Sequence, residues 1–264
     1  MQPTLDFIKQ IALDAGKILQ DMAGGELGIQ HKSEKDLVTR ADHASEEFII
    51  GSIREAFSDH TINAEESGHL SGTAEHQWFI DPIDGTLNYA HGVPFYCVSI
   101  AYAYQGEVVL GVVYDPARRE CFSAELGNGA YLNDKPISVA HYEKLVNCML
   151  STGFPGNKWG SPEDNLHDFY NFSLAAQTVR RLGSAALDLA YVAAGRVDGF
   201  WEKSVHNWDI AAAGLIVQEA GGVVTNVYGG EDFLEEPISV AAGNPIIHPQ
   251  ILEILAKVRR EYSE

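Results

Sequence analysis

The chain has 264 residues, of which 45% are hydrophobic, and it carries 37 acidic against 18 basic residues. This length and apolar content are enough for one large domain, or for two fused halves, with a substantial core. The formal net charge of −19 at pH 7 argues against binding to a nucleic-acid backbone, which requires a basic face. An anionic small-molecule substrate would meet the same repulsion unless metal cations neutralised it.

The sequence has neither the features of a membrane protein nor those of an exported one. No apolar run approaches the about 20 residues that cross a bilayer, and the amino terminus lacks the basic start and apolar core of a secretory signal. The three cysteines, Cys97, Cys121 and Cys148, are widely spaced and predict neither a disulfide framework nor a CxxC site. We therefore expect a cytoplasmic protein that does not interact with membranes, in which the glycosylation sequon at Asn171 is unused.

In chain order, the pattern begins with two amphipathic helices and then changes to strands. Apolar residues recur at helical spacing over residues 4–22 and 41–57, and the polar segment between these two helices, residues 31–42, is expected to be irregular. From Trp78 onward the pattern favours strands. The predicted strands of this half cover residues 78–80, 96–104, 107–115 and 120–126.

The second half of the chain alternates short strands with helices. The predicted strands cover residues 148–152, 197–201, 222–227 and 238–242, and the predicted helices cover residues 165–177, 184–195, 209–222 and 246–260. This order predicts an α+β or α/β layered sandwich in which helix and sheet layers alternate. We expect an amino-terminal region, 1–145, and a carboxy-terminal region, 146–264.

The segment WFIDPIDGTLNYAHG, residues 78–92, places two aspartates where a buried strand ends. Asp81 precedes Pro82, which pushes its backbone toward an extended conformation, so we expect the strand to continue through Asp81 before the chain turns. Gly85 permits a close approach of the backbone to a ligand, and a helix beginning after it would offer free N–H groups to phosphate. Two carboxylates and several amides would then point to one place.

Further acidic residues can join this corner from other parts of the chain. Glu65 and Glu66 follow a short predicted strand, while Asp42 and Asp209 each lie at the start of a predicted helix. Each position also has a plainer explanation. An aspartate at a helix start is suited to an N-cap, a glutamate pair is suited to a solvated loop, and the two aspartates of the corner are suited to a turn.

If these carboxylates converge, cations must hold them together. Two carboxylates about 4 Å apart repel each other by about 4 kcal/mol at an effective dielectric constant of about 20. Oxygen-only ligands, with no nearby cysteine and no HExxH pair, select a hard ion such as magnesium over zinc. None of the ten histidines has convincing ligand spacing, and we expect His91 and His206 to be structural.

These motifs together resemble the inositol monophosphatase family of magnesium-dependent, lithium-sensitive phosphatases, in particular its bacterial members. The resemblance is carried by DPIDGT, with AEES upstream and WDIAAAG downstream. It extends to KDLVTRAD near the start, to GSAALDLAYVAAGRVDGFWE in the second half and to EAGG at the end of a helix. It implies the layered sandwich of that family, a small phosphorylated polyol as substrate, and a homodimer.

The resemblance also implies roles for particular positions. The implied ligands of two or three Mg²⁺ ions are Glu65, Asp81, the backbone carbonyl of Ile83, Asp84 and Asp209. The implied catalytic residues, which position the attacking water, are Glu65, Thr86 and Asp42. The implied contacts to the substrate are Glu65, Ile83, Asp84, Gly85, Thr86, Gly183, Ser184, Ala185, Glu202 and Asp209.

Departures from the family pattern leave the chemistry in place and the substrate open. Ala64 stands where the family usually has glycine, and Asn207 stands where bacterial members often have proline, but neither change removes an implied ligand. The loop over residues 151–165 is less easily matched. Glu202 favours inositol 1-phosphate, and the alternatives are fructose 1,6-bisphosphate, histidinol phosphate and nucleotides such as NADP or adenosine 3′,5′-bisphosphate.

Two other classes of protein compete with this interpretation. A haloacid-dehalogenase-type phosphatase also has an aspartate, a glycine and a threonine after a strand, but its two aspartates are two positions apart, whereas Asp81 and Asp84 are three apart. A regulatory or metal-binding protein on a phosphatase scaffold is the non-enzymatic alternative. A scaffold without catalysis has little reason to keep mutually repelling carboxylates, so we expect a metal-dependent phosphate monoester hydrolase.

Overall fold

The computed structural model describes residues 2–32, 37–154, 161 and 164–262. The first residues of the KDLVTRAD motif, and most of the loop that was hardest to match to the family, lie outside the described residues. None of the helices within these ranges combines the length and apolar character that a membrane crossing requires.

An eight-stranded sheet forms the larger of two sheets. Its strands are β3 (His60–Ala64), β4 (Gly68–Leu70), β5 (Thr73–Asp84), β6 (Cys97–Tyr104), β7 (Glu107–Asp115), β8 (Glu120–Glu125), β9 (Ala130–Leu132) and β10 (Lys135–Pro136). Their spatial order is β10-β9-β8-β7-β6-β5-β3-β4. All neighbours pair antiparallel except β3 and β5, which run parallel, so β3 and β5 end at the same edge of the sheet. The predicted strands of this half are confirmed.

Two helices, α1 (Leu5–Met22) and α2 (Arg40–Ala56), cover one face of this sheet. Their apolar stripes pack on the sheet, with Ile8, Ile49 and Ile53 fully buried, as the helical spacing predicted. The prediction of an irregular connection was wrong at its ends, because β1 (Gln30–His31) and β2 (Leu37–Val38) form a short antiparallel ladder. Strands of two residues are too short to produce a periodic pattern.

The second sheet has five strands, β11 (Met149–Thr152), β12 (Thr178–Arg180), β13 (Gly199–Lys203), β14 (Val223–Thr225) and β15 (Ser239–Gly243), in the spatial order β12-β11-β13-β15-β14. Helices α5 (Ala185–Ala193) and α6 (Asn207–Glu219) lie between the two sheets, and α4 (Leu166–Ala175) and α7 (Ile247–Tyr262) cover the outer face. The edge strand β12 was not predicted, because three residues carry too little pattern.

Small apolar residues allow α5 and α6 to lie between two sheets. Ile210, Ala211, Ala212 and Ala213 are all fully buried although these four successive residues point in directions all around α6, which is the pattern of a helix enclosed on every side. On β7, a Cβ atom at Gly111 would lie 2.6 Å from the carbonyl oxygen of Ala212, so glycine permits this close packing. The layers therefore run helix, sheet, helix, sheet, helix, and the predicted layered fold is confirmed. The division at residue 145 stays a prediction.

Candidate active site

The end of β5 carries the two aspartates of the DPIDGT motif. Asp81 lies opposite Ser99 of the neighbouring strand β6, and Asp84 lies opposite Cys97, so three residue steps on β5 match two on β6. This one-residue bulge changes which face the later side chain points to. In a regular strand, residues three apart point to opposite faces. Because Ser99 and Cys97 share a face of β6, the bulge places Asp81 and Asp84 on the same face.

Hydrogen bonds fix both carboxylates. The Asp81 carboxylate accepts a hydrogen bond from the backbone N–H of Ile83 at 2.9 Å. The Asp84 carboxylate accepts one from the Ser184 hydroxyl at 2.7 Å and one from the backbone N–H of Ala186 at 2.6 Å. Asp84 is therefore tied to the amino terminus of α5, more than 90 residues later in the chain. Ser184 and Ala185, both predicted substrate contacts, begin this helix, and the Ser184 hydroxyl is directed at Asp84.

Asp209 and Glu65 bring two further carboxylates to the same face. Asp209 lies in the first turn of α6, and Glu65 follows β3, where its N–H donates to the carbonyl of Ile80 at 3.1 Å. Burial raises the pKa of Asp81 well above its usual range, and the charges of Glu65, Asp84 and Asp209 raise it further. Four carboxylates from three separate parts of the chain thus lie within electrostatic reach of one another. The structure brings together the residues that the sequence grouped as ligands.

The pKa values of Glu65 and Asp84 show the cost of this arrangement. Burial, opposed by the nearby ammonium of Lys32 and assisted by Asp209, raises the pKa of Glu65 to about 7. Asp84 remains partly accessible to solvent, but the surrounding protein removes most of its hydration, and together with the charge of Asp209 this raises the pKa of Asp84 to about 7. At neutral pH each of these two groups is therefore about half ionised, and a nearby positive charge would favour the ionised form.

Lys32 supplies part of that charge and was not among the predicted site residues. Its ammonium lies 2.9 Å from the Glu65 carboxylate and 2.5 Å from that of Glu66. Glu46 holds the same turn from the other side, because its carboxylate accepts 2.8 Å hydrogen bonds from the backbone N–H groups of Glu66 and Ser67. Among the described residues, no group of three or more Asp, Glu, His or Cys side chains is arranged closely enough to hold a metal ion as it stands. The oxygen-only donors and their mutual repulsion nevertheless fit a hard divalent cation.

Thr86 and Asp42 form the part of the site that was predicted to position water. The Thr86 hydroxyl lies 2.9 Å from the carbonyl oxygen of Ile83 and 3.1 Å from the carboxylate of Asp42. Asp42 is fully buried, and its other oxygen accepts hydrogen bonds from the N–H of Thr39 at 2.8 Å and from the Thr39 hydroxyl at 2.6 Å. Burial raises the pKa of Asp42, although the bonds from Thr39 act in the opposite direction. Asp42 thus orients the Thr86 hydroxyl.

The alternative explanation, that Asp42 and Asp209 are N-cap residues, was wrong, although both aspartates do take part in capping their helices. The N-cap residues are Thr39 and His206, and each aspartate lies three residues later, where its carboxylate accepts the N-cap backbone N–H in a capping box. Asp209 accepts this bond from His206 at 2.8 Å. Each aspartate therefore caps its helix with one oxygen, and the other oxygen of Asp42 accepts from the Thr86 hydroxyl.

The backbone at Gly85 brings the turn and the start of α5 into contact. Gly85 has φ of 95°, and a Cβ atom there would lie 3.0 Å from the carbonyl of Phe95 and 3.2 Å from that of Gly183. Asn88 in the short helix α3 (Thr86–Ala90) donates to the carbonyls of Phe95 and Leu182 at 2.8 Å each. Asn88 was not predicted, because a single polar residue in a five-residue helix carries no signal in the sequence.

Glu202 is the predicted site residue that lies in the second sheet. It lies on β13, and burial raises its pKa well above the usual range, with further contributions from Asp209 and Asp188. Asp188 on α5 is itself buried and was not predicted. Glu202 therefore reaches the carboxylate site from the opposite sheet, across the layer of α5 and α6.

A layered sandwich with a buried carboxylate site at a sheet edge is the architecture of a phosphatase family. The chain belongs to the inositol monophosphatase family, whose model matches residues 1–264. It is 41% identical over 256 residues to an inositol-1-monophosphatase of Mesorhizobium japonicum, which covers 96% of both chains. It is 43% identical over 253 residues to the Nus factor SuhB of Pseudomonas aeruginosa, which covers 92% of both.

A solved structure agrees with this assignment. The extragenic suppressor protein suhB of Bartonella henselae superposes with a TM-score of 0.91 at 39% identity, covering 96% of this chain and 98% of that one. The predicted family is confirmed, and the match supports a phosphatase.

Proposed function

We propose that the protein is a Mg²⁺-dependent phosphate monoester hydrolase that converts inositol 1-phosphate and water to myo-inositol and phosphate. The observation that carries this proposal is the mutual repulsion at Asp81, whose pKa is raised by burial and by the charges of Glu65, Asp84 and Asp209. Such a group of acids is tolerable in the ionised state only with cations among them. The 41% identity to an inositol-1-monophosphatase supports the substrate.

The mechanism follows from the positions of the side chains. The residues that would hold two or three Mg²⁺ ions are Glu65, Asp81, Asp84, Asp209 and the carbonyl of Ile83. Bound there, the ions would lower the pKa of a water and stabilise charge on the departing oxygen. Thr86 donates its proton toward Asp42 or Ile83, so its oxygen is left to accept a hydrogen bond from the attacking water.

The remaining site residues bind the substrate in this proposal. The N–H groups of Gly85 and Thr86 hold the phosphate, and Glu202 and the segment Gly183, Ser184 and Ala185 lie on the side of the leaving group. A homodimer and inhibition by lithium are further expectations of the family resemblance, and a cytoplasmic location is the expectation from the amino-terminal sequence.

A panel of substrates tests the proposal. Purified protein is assayed with Mg²⁺ against inositol 1-phosphate, fructose 1,6-bisphosphate, histidinol phosphate and adenosine 3′,5′-bisphosphate. We expect the highest kcat/KM for inositol 1-phosphate, and the loss of activity in excess chelator with recovery when Mg²⁺ is returned. Full activity in excess chelator contradicts the metal, and a higher kcat/KM for another member of the panel reassigns the substrate.

Thr86→Val is expected to lower kcat by about 10²-fold with a small change in KM, because it removes the hydroxyl that orients water and keeps the shape of the side chain. Thr86→Ser is the matched control and should retain most of the activity, since it keeps the hydroxyl. Steady-state kinetics with inositol 1-phosphate measure both variants. Equal losses in the two variants would show that packing of the methyl group, and not the hydroxyl, is what matters.

A second candidate role comes from the relatives that are named Nus factor SuhB, one of them 43% identical to this chain. Replacement of SuhB in Pseudomonas aeruginosa by this chain, as wild type and as Asp84→Asn, tests it. If both forms replace the function of SuhB in these cells equally well, the protein can act as a Nus factor without its carboxylate site. If neither form does, this role is excluded.

A further inference from the structure

β13 presents two neighbouring residues to opposite faces of the second sheet. Side chains alternate along a strand, so Trp201 and Lys203 share one face and Phe200 and Glu202 share the other. Trp201 stacks on Phe172 of α4 with ring centroids 3.9 Å apart, which places Lys203 on the α4 side. Glu202 accordingly points to the opposite side, toward the carboxylate site.

A buried ion pair holds the Lys203 end of this strand. The Lys203 ammonium lies 2.5 Å from the carboxylate of Asp168 in the first turn of α4, and the two side chains are only 10% and 2% exposed. Removing two charges from water is costly, and an apolar pair of similar volume is often equally stable or more so. A buried pair of this kind is therefore weak support for the fold as such. Ser204, the next residue, has φ of 58°, so β13 ends immediately at a constrained backbone position.

The same helix start also holds the strand next to β13. Asn165, which precedes α4, donates a 2.7 Å hydrogen bond to the carbonyl of Gly153, the residue after β11. A Cβ atom at Gly153 would overlap both carboxylate oxygens of Glu202, so the Gly153 backbone lies directly against that carboxylate. The first turn of α4 therefore fixes Glu202 from two directions, through its neighbour Lys203 and through Gly153.

Glu202 needs this support because its surroundings repel it. Asp209, Asp188 and Asp84 all act on it with like charge, which the guanidinium of Arg181 offsets only in part. We propose that the Asp168–Lys203 ion pair and the Asn165–Gly153 hydrogen bond are a positioning device for Glu202, through which the protein selects substrates whose leaving group carries several hydroxyls. The inference deepens the proposed function and rests on it.

The test separates positioning from simple structural support. The paired variant Asp168→Leu/Lys203→Met replaces the ions with apolar side chains, and its unfolding midpoint is measured first. Kinetics are then compared for inositol 1-phosphate and p-nitrophenyl phosphate, whose leaving group has no polyol hydroxyls. We expect the ratio of the two kcat/KM values to fall about tenfold, mainly through KM for inositol 1-phosphate. The exposed pair Lys17–Asp21, changed in the same way to Met and Leu, should leave the ratio unchanged.

A cycle with Glu202→Gln gives a second, independent readout. In the wild-type background this substitution should lower the ratio at least tenfold, and in the paired variant it should lower the ratio less than threefold, because Glu202 is already misplaced there. If the paired variant does not fold, Asn165→Gly, which keeps the left-handed backbone and removes the amide, should lower the ratio by threefold to tenfold.

Two results overturn the inference. In the first, the folded paired variant, or Asn165→Gly if the paired variant does not fold, keeps the wild-type ratio of the two kcat/KM values. Glu202→Gln also lowers that ratio as much in the variant as in the wild type. The Asp168–Lys203 pair would then have only a structural role. In the second, wild-type protein hydrolyses neither substrate with Mg²⁺, in which case the proposed function itself fails and the inference falls with it. The wild-type assay therefore tells the two failures apart.

Discussion

Asp84→Asn is expected to reduce kcat for inositol 1-phosphate by at least about 10³-fold without unfolding the protein. Loss of a metal ligand removes several kcal/mol of charge stabilisation from the transition state, and about 4 kcal/mol corresponds to a factor of about 10³. Asparagine keeps the shape of the side chain and an oxygen that can still accept from the Ser184 hydroxyl. The measurements are steady-state kinetics with Mg²⁺ and the thermal unfolding midpoint of the metal-free protein.

The same result is expected for Asp81→Asn and Asp209→Asn, because all three aspartates would ligate the ions. Asp21→Asn is the matched control, since Asp21 is an exposed aspartate in an i,i+4 pair with Lys17 on α1, far from the site in sequence. It should leave kcat and KM unchanged. Activity of Asp84→Asn within tenfold of wild type would contradict the assignment of Asp84 as a ligand.

The metal-free protein is expected to lose stability as the pH rises from about 4.5 through 7. Glu65 and Asp84 have raised pKa values in the folded state, so the folded protein binds their protons more tightly than the unfolded chain does. Their contribution to stability is full below the unfolded pKa values and is lost as the pH passes about 7. For Glu65, whose pKa rises from 4.5 to about 7, this amounts to about 3 kcal/mol at 1.36 kcal/mol per unit.

Urea unfolding at pH 5, 6, 7 and 8 in chelator, and again with excess Mg²⁺, measures this dependence. Mg²⁺ should stabilise the protein most at pH 8, where the carboxylates are ionised, and least at pH 5, where protons compete with the ion. The difference between wild type and Asp84→Asn isolates the contribution of this carboxylate from those of all other titrating groups. A wild-type minus Asp84→Asn difference that is constant from pH 5 to pH 8 would exclude the raised pKa of Asp84.

Local sequence patterns were sufficient to predict the helices and strands that form most of the layers. Helical spacing identified α1 and α2, and the segment over residues 209–222 was predicted as the helix that the structure shows as α6. These predictions succeeded because the period of the apolar residues reports which surface of a helix or strand is buried. The strands that were missed, β1, β2, β4, β9, β10 and β12, have only two or three residues each, which is too few to produce a periodic pattern.

The sequence by itself determined the layered fold class, the family and the list of acidic residues, because each of these depends on residue type and spacing. Only the tertiary structure decided how those residues act. Asp81 and Asp84, three positions apart, share a face because β5 contains a bulge opposite β6, and strand spacing alone predicts the reverse. Lys32 is next to Glu65 because two loops meet in space, and Glu202 lies on the face of β13 opposite to Lys203, which pairs with Asp168 of α4. Contacts between residues far apart in the chain depend on how the layers pack, and no local pattern encodes them.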